Sequence, residues 1–456
     1  MRLRNMLAGL GAIGLAGIAA LAAALPAAQP AHAAAPVDGL SLGQLEPVLP
    51  EDEPTGLVFL FSGEQGLTPE LKATAERLAH ELAVIVAPVD LPAFLGRQSA
   101  EDRDCLYVVS DIEEASHRIQ KGSSHYLSPI LAGTGMGAAL AYAALAQAPD
   151  ATLDGAASDG FVTRVATDKP LCAGAPVSAA AAGGFDYAAS PLPGWWRLGA
   201  TAPTLEDARK FAAAAGAEAD SVLELADGLG LAERLELLLR PPLAAEANAA
   251  KTVAGLPVVE LPVEAPGRLM AVIYSGDGGW RDIDKDIAGR LQAKGVPVVG
   301  VDSLRYFWSE RTPEQMAADL DLIIDNYTES WQRPDVLLIG YSFGADALPF
   351  AYNRLQPEHQ RTVRRLALLG LSTSADLEIR VGGWLGVGQG AYPTAPELQR
   401  LPPRLVQCFY GEEEEDTACT TPALKGAELV RTTGGHHFDG NYEALADRIL
   451  AGVDAR

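Results

Sequence analysis

The chain alternates short, wholly apolar runs with longer stretches of mixed polarity. Residues 57–61, 270–274 and 336–339 are apolar at every position. Short runs without polar alternation read as strands buried on both faces. Each of the three leads into a glycine-containing turn and then a helix-like stretch.

The pattern occurs twice. LVFLFSGEQGLTPELKATAERLAHELAVIVAPVDLPAFL (57–95) and MAVIYSGDGGWRDIDKDIAGRLQAKGVPVVGVDSLRYFW (270–308) share one plan. Each has an apolar strand, Ser-Gly-acid-x-Gly, a polar helix, a second apolar strand, then Val-Asp and an aromatic loop. The likeness resumes where PILAGTGMGA (129–138) matches VLLIGYSFGA (336–345). So long a repeat is not a solenoid unit. It predicts an α/β fold class: two tandem domains, each a mostly parallel sheet with helices on both faces. Pro241-Pro242 and the Ala/Glu-rich run after them mark the boundary. The expected layout is a first domain at 54–242, a linker at 243–257, and a second domain at 258–456 that opens with a strand over 258–263.

Only the second copy carries a nucleophile. Gly340-Tyr341-Ser342-Phe343-Gly344 fits G-x-S-x-G between a strand and a helix, the nucleophile-elbow context of an α/β-hydrolase. Pro349, early in that helix, can bend it. The first copy has Gly135 in place of Ser342, and its histidines (His80, His117, His125) all precede its elbow. The hydrolase order is Ser, acid, His. The first domain is therefore read as degenerate and non-catalytic.

A serine needs a base to take its proton. After Ser342 stand His359, His436 and His437. His359, in the polar run NRLQPEHQRTVRR, reads as solvated. His436 and His437 lie in GGHHFDGNY, between a last strand near 428–431 and a helix over 442–450; His436 is the expected base and His437 the alternate. The acid should follow the strand 405–410, in Gly411-Glu-Glu-Glu-Glu-Asp416. Asp416, close to Cys419, is the first choice and Glu414 the alternate. For the oxyanion, the Phe343 amide and the loop Ser275–Trp280 are expected donors, the latter through Asp277 or, alternately, Gly278. Trp280, Asp302 and Trp308 are candidate substrate contacts, in an aromatic set that includes Tyr306, Phe307 and Trp384.

Composition narrows the function. With 456 residues, 48% hydrophobic, the chain is long enough for two cores. A net charge of -24 argues against a nucleic-acid partner. Arg2 and Arg4, an apolar stretch over 6–25, and Ala31-His32-Ala33 make residues 1–33 an expected signal peptide, with an uncleaved anchor as the alternative. In an exported chain the four cysteines are expected as Cys105–Cys172 and Cys408–Cys419. No spacing suggests a metal site, and no cofactor is expected. The sequence does not give the oligomeric state.

The runs SGDGGWRDIDKDIAGRLQAKGVPVVGVDSLRYFW, LLIGYSFGAD, GEEEEDTAC and GGHHFDGNY resemble the VirJ/AcvB family of bacterial virulence proteins, over nearly all of residues 258–456. The two-domain layout behind a leader resembles the AcvB-like form. The resemblance implies a periplasmic serine esterase that releases lysine from lysyl-phosphatidylglycerol, through Ser342 and an acyl-enzyme. It implies an aminoacylated phospholipid at the membrane surface as substrate, a link to lipid homeostasis and virulence, and envelope or secretion-system proteins as further partners. The alternatives are an esterase or thioesterase on another acyl substrate, or a non-enzymatic adaptor for type IV secretion or envelope partners.

Overall fold

The computed structural model describes residues 32–33, 35–100, 102–249, 253–379 and 390–453. Most of the expected leader, residues 250–252 of the expected linker, and Trp384 lie outside them.

Among the described residues the chain builds two large sheets. The strands of the first are β1 (His32–Ala33), β2 (Val48–Leu49), β3 (Leu57–Phe61), β4 (Ile85–Val89), β5 (Pro129–Thr134), β6 (Gly155–Asp159), β7 (Trp195–Ala200) and β8 (Val222–Glu224). They lie in the order β1-β2-β4-β3-β5-β6-β7-β8. The second has β9 (Val258–Leu261), β10 (Leu269–Tyr274), β11 (Val298–Val301), β12 (Asp335–Tyr341), β13 (Val363–Leu369), β14 (Val406–Gly411) and β15 (Glu428–Thr432). Their order is β9-β11-β10-β12-β13-β14-β15. Without β1 the two orders match strand for strand. Pairing is parallel except at one edge, where β1–β2, β2–β4 and β9–β11 are antiparallel. His32 and Ala33, read as the end of the leader, pair there with Leu49 and Val48.

Helices cover both faces. In the first domain these are α1 (Pro69–Leu82), α2 (Leu91–Ser99), α3 (Val109–Ile119), α4 (Met136–Gln147), α5 (Leu205–Ala214) and α6 (Leu231–Ala249). In the second they are α7 (Asp282–Ala293), α8 (Ser303–Tyr306), α9 (Pro313–Ser330), α10 (Phe343–Tyr352), α11 (Pro357–Thr362), α12 (Ala395–Leu398) and α13 (Tyr442–Leu450). None is long and apolar enough to cross a membrane.

The two-residue period of a strand explains the apolar runs. Leu57, Phe59 and Phe61 point into one core layer and Val58 and Leu60 into the other. Met270, Val272 and Tyr274 divide from Ala271 and Ile273 in the same way. A strand covered on both faces has no polar positions to spare.

The repeated Ser-Gly-acid-x-Gly and Val-Asp motifs are structural. Ser62 Oγ accepts from Leu91 N at 2.9 Å, and Ser275 Oγ from Ser303 N at 2.9 Å. Asp90 and Asp302 cap the helices that follow, accepting from Ala93 N and Arg305 N. Each motif thus ties the loop after one strand to the helix after the next.

The stretch read as a linker begins as helix. α6 runs through Pro241 and Pro242 to Ala249. Its Ala/Glu-rich end favours helix, and Leu243 is buried in the first core, where its side chain covers Gly56.

Both disulfides form with the expected partners, Cys105–Cys172 and Cys408–Cys419.

His359, read as solvated, is 7% exposed. Its ring bonds Asp321 on one side and Asp325, at 2.9 Å, on the other. Burial opposes its charge, but the bonds and charges of the two aspartates outweigh burial and raise its pKa. A raised folded-state pKa means that the stabilisation is complete below the unfolded value, about 6.5, and is lost as pH rises through the folded value. His359→Gln is therefore expected to destabilise the chain most below about pH 6.5, with the gap from the parent closing as pH rises, as read by denaturant melts across pH.

Candidate active site

The strand β12 ends at Tyr341 and α10 begins at Phe343, so Ser342 alone makes the turn. Its φ of 51° and ψ of −118° lie in a region that costs a non-glycine residue roughly 1–3 kcal/mol. Gly344 makes the turn possible, since a Cβ there would come within 2.3 Å of Tyr274 O. The first domain keeps this geometry. Gly135 has φ 56° and ψ −118°, and a Cβ on Gly137 would meet Ser62 O at 2.4 Å.

His436 Nε2 accepts from Ser342 Oγ at 2.7 Å. Its Nδ1–H donates to Glu414 Oε1 at 2.7 Å. The other carboxylate oxygen of Glu414 accepts from Gly411 N at 2.8 Å, which fixes the group's orientation. The carboxylate that meets His436 is thus Glu414 and not Asp416, the first choice from the sequence. Glu414 closes the tight turn that follows β14, with its carboxylate only 8% exposed. Asp416, two residues on, turns away and accepts from Thr373 Oγ1 at 2.6 Å.

Glycines bring these loops together. A Cβ on Gly370 would meet the His436 ring at 2.8 Å. One on Gly411 would meet Gly435 O at 2.2 Å, so the acid turn and the histidine loop pack backbone to backbone. Phe438, buried below the loop at φ 58°, anchors it. His437 faces elsewhere, with Nδ1 3.4 Å from the Tyr341 hydroxyl.

Phe343 is the first residue of α10, where helix amides have no intrahelical acceptor. The Ser275–Trp280 loop lies opposite, and a Cβ on Gly276 would come within 3.7 Å of Ser342 Cβ. The charge of Asp277 reaches Tyr341 and Asp346 on either side of the serine. Behind the loop, Gly276 N donates to the buried Asp284 at 3.4 Å, and burial raises the pKa of Asp284 well above the carboxylate range. Asp346, which accepts from Ser372 N at 2.7 Å, is raised likewise by burial.

The three expected substrate contacts take other roles. Trp280 is 4% exposed, its indole packed over Gly300 in the core. Trp308 is buried against His117 and Tyr126 of the first domain, at ring distances of 5.6 and 5.0 Å. Asp302 is the α8 cap. Aromatic residues after a strand end can face core or cleft, and nothing in the local sequence distinguishes the two.

Sequence reasoning also missed contacts between the domains. Arg281, which ends the Ser275–Trp280 loop, donates to Glu113 at 3.0 Å and to Thr152 at 3.1 Å, both in the first domain. The same guanidinium lies over Gly278. Arg305 donates to Ser128 at 2.8 Å. Tyr126 is part of the second domain's core. Burial, helped by the Arg281 charge, pushes His117 down to about 4, so it is neutral in this interface near pH 7. The first domain thus grips the loop that faces the serine.

No group of three or more His, Cys, Asp or Glu among the described residues is placed to hold a metal ion. What the site can do is transfer a proton from Ser342 to an imidazole held by a carboxylate, next to helix-end amides. Fold and site together define an α/β-type serine hydrolase. Residues 268–456 match the family described as bacterial virulence protein (VirJ). Among solved structures, the chain is similar to Est1E from Butyrivibrio proteoclasticus at 14% identity and a TM-score of 0.34, over 44% of this chain and 97% of that one. It is also similar to a lipase-esterase related protein from Clostridium acetobutylicum at 15% identity and 0.31, over 42% and 98%. No curated protein sequence matches the chain.

Two predictions follow the geometry. Glu414→Gln should lower kcat on a small ester by roughly 10^3- to 10^4-fold, while Asp416→Asn stays near the parent, in steady-state assays. Glu113→Gln, which frees Arg281 from its carboxylate, should lower kcat several-fold with the pH–rate profile unmoved; a change in melting temperature alone would mean that the contact serves stability only.

Proposed function

We propose that the second domain is a serine esterase acting on the aminoacyl ester of lysyl-phosphatidylglycerol at the periplasmic membrane face. The observation that carries this reading is the chain of hydrogen bonds from Ser342 through His436 to Glu414. Ser342 Oγ attacks the ester carbonyl as its proton passes to His436 Nε2. Glu414 stabilises the imidazolium through Nδ1–H. In this reading the oxyanion takes hydrogen bonds from the amides of Phe343 and Asp277. The tetrahedral intermediate expels the phosphatidylglycerol hydroxyl, which takes the proton from His436, and leaves a lysyl ester on Ser342. Water, deprotonated by His436, then releases lysine.

Charge supports an aminoacyl group with positive amines. Glu414 abuts the base, and the charges of both Asp277 and Asp416 reach Asp346 beside the serine. Such a site favours ammonium groups over anionic acyl chains. The match of residues 268–456 to the family described as bacterial virulence protein (VirJ) supports the link to virulence. The two disulfides suit an oxidising compartment.

The test uses vesicles containing lysyl-phosphatidylglycerol. The parent chain is expected to release free lysine, and Ser342→Ala to release none above the buffer control. Release by Ser342→Ala at the parent rate would refute the mechanism. Cleavage of simple esters without release of lysine would instead favour another acyl substrate.

A further inference from the structure

The first domain keeps an open cleft where the second keeps its serine. About 650 Å³ in volume, it opens over Gly135 and is lined by Asp159, Phe161, Phe211, Leu225, Asp227 and Arg234, among others. Small-molecule sites commonly span roughly 300–1,000 Å³. The cleft lies at the C-terminal ends of the parallel strands β5 to β8, where open α/β sheets take their ligands.

No bulk stands at the elbow where the second domain has its serine. A Cβ on Gly135 would find nothing within 4 Å. On the floor, Asp159 is 4% exposed and held by Arg234 through two hydrogen bonds of 2.9 and 3.0 Å, so this pair cancels its own charge. Phe161 and Phe211, with ring centroids 5.1 Å apart, form an apolar wall. Asp227 stands in the loop after β8, the counterpart of the loop after β15 that carries His436. It is exposed on the rim and has no hydrogen-bond or ion-pair partner among the described residues. A second rim carboxylate, Asp207, shares Lys210 at 3.9 Å with Glu206.

We propose that this cleft binds a small amphiphilic amine, with its alkyl part against Phe161, Phe211 and Leu225 and its ammonium on Asp227, and does not turn it over. The apolar wall supplies affinity and the unmatched carboxylate selects the sign of charge. With glycine at the elbow and no histidine among its lining residues, the cleft lacks the serine–histidine pair of its twin. The proposal does not depend on which ester the second domain cleaves.

The test is calorimetric titration of the full chain with n-octylamine, set beside n-octanoate. Octylamine should bind at one saturable site, with affinity lowered about tenfold by Asp227→Asn and lost in Ala208→Trp, which fills the cleft wall. Octanoate should show no such site. Ester hydrolysis by both variants at the parent rate would report that the chain is folded. Absence of saturable octylamine binding, equal binding of octanoate, or unchanged affinity in Asp227→Asn would each overturn the proposal.

Discussion

Both domains depend on one close backbone contact, a glycine at the start of a helix pressed against the carbonyl end of the neighbouring strand. Gly344 lies on Tyr274 O, and Gly137 on Ser62 O and Phe61 O. No side chain fits in either place. The contact seats the helix, and the seated helix forces the preceding residue to positive φ. Ser342 tolerates this at a cost and gains an exposed hydroxyl at a helix N-terminus. Gly135 adopts the same backbone without strain. The serine could therefore disappear from the first domain while the fold, and the cleft above the elbow, stayed.

The rest of the site is assembled by similar contacts. Gly411 against Gly435, and Gly370 beneath the His436 ring, bring acid, base and nucleophile within hydrogen-bond reach although they come from three loops. The Cys408–Cys419 bridge closes the acid loop onto its strand. On the opposite side, the first domain reaches the serine-facing loop through Glu113, Thr152 and Arg281. The first domain thus touches the serine-facing loop through side-chain hydrogen bonds.

Much of this was legible in the sequence. Strands buried on both faces, the glycine-framed elbow and the doubled motif are local signals, and each predicted the right element. His436 was legible because the order of residues along the chain constrains the base. The acid was not, because several carboxylates follow one strand and the choice among them rests on which oxygen meets Gly411 N. Trp280 and Trp308 were read as cleft residues, but side-chain direction after a strand end is set by tertiary packing. His359 looked solvated because its partners, Asp321 and Asp325, lie a helix away. The clamp joins residues more than a hundred positions apart, and no periodicity reports such a pair.

The central claim is that this two-domain chain has a single activated serine. Labelling the full chain with a fluorophosphonate, followed by intact mass and peptide mapping, tests it most directly. The account predicts one adduct per chain, on Ser342, formed far more slowly when His436 is replaced by alanine. An unlabelled chain, or an adduct elsewhere with Ser342 untouched, would contradict it.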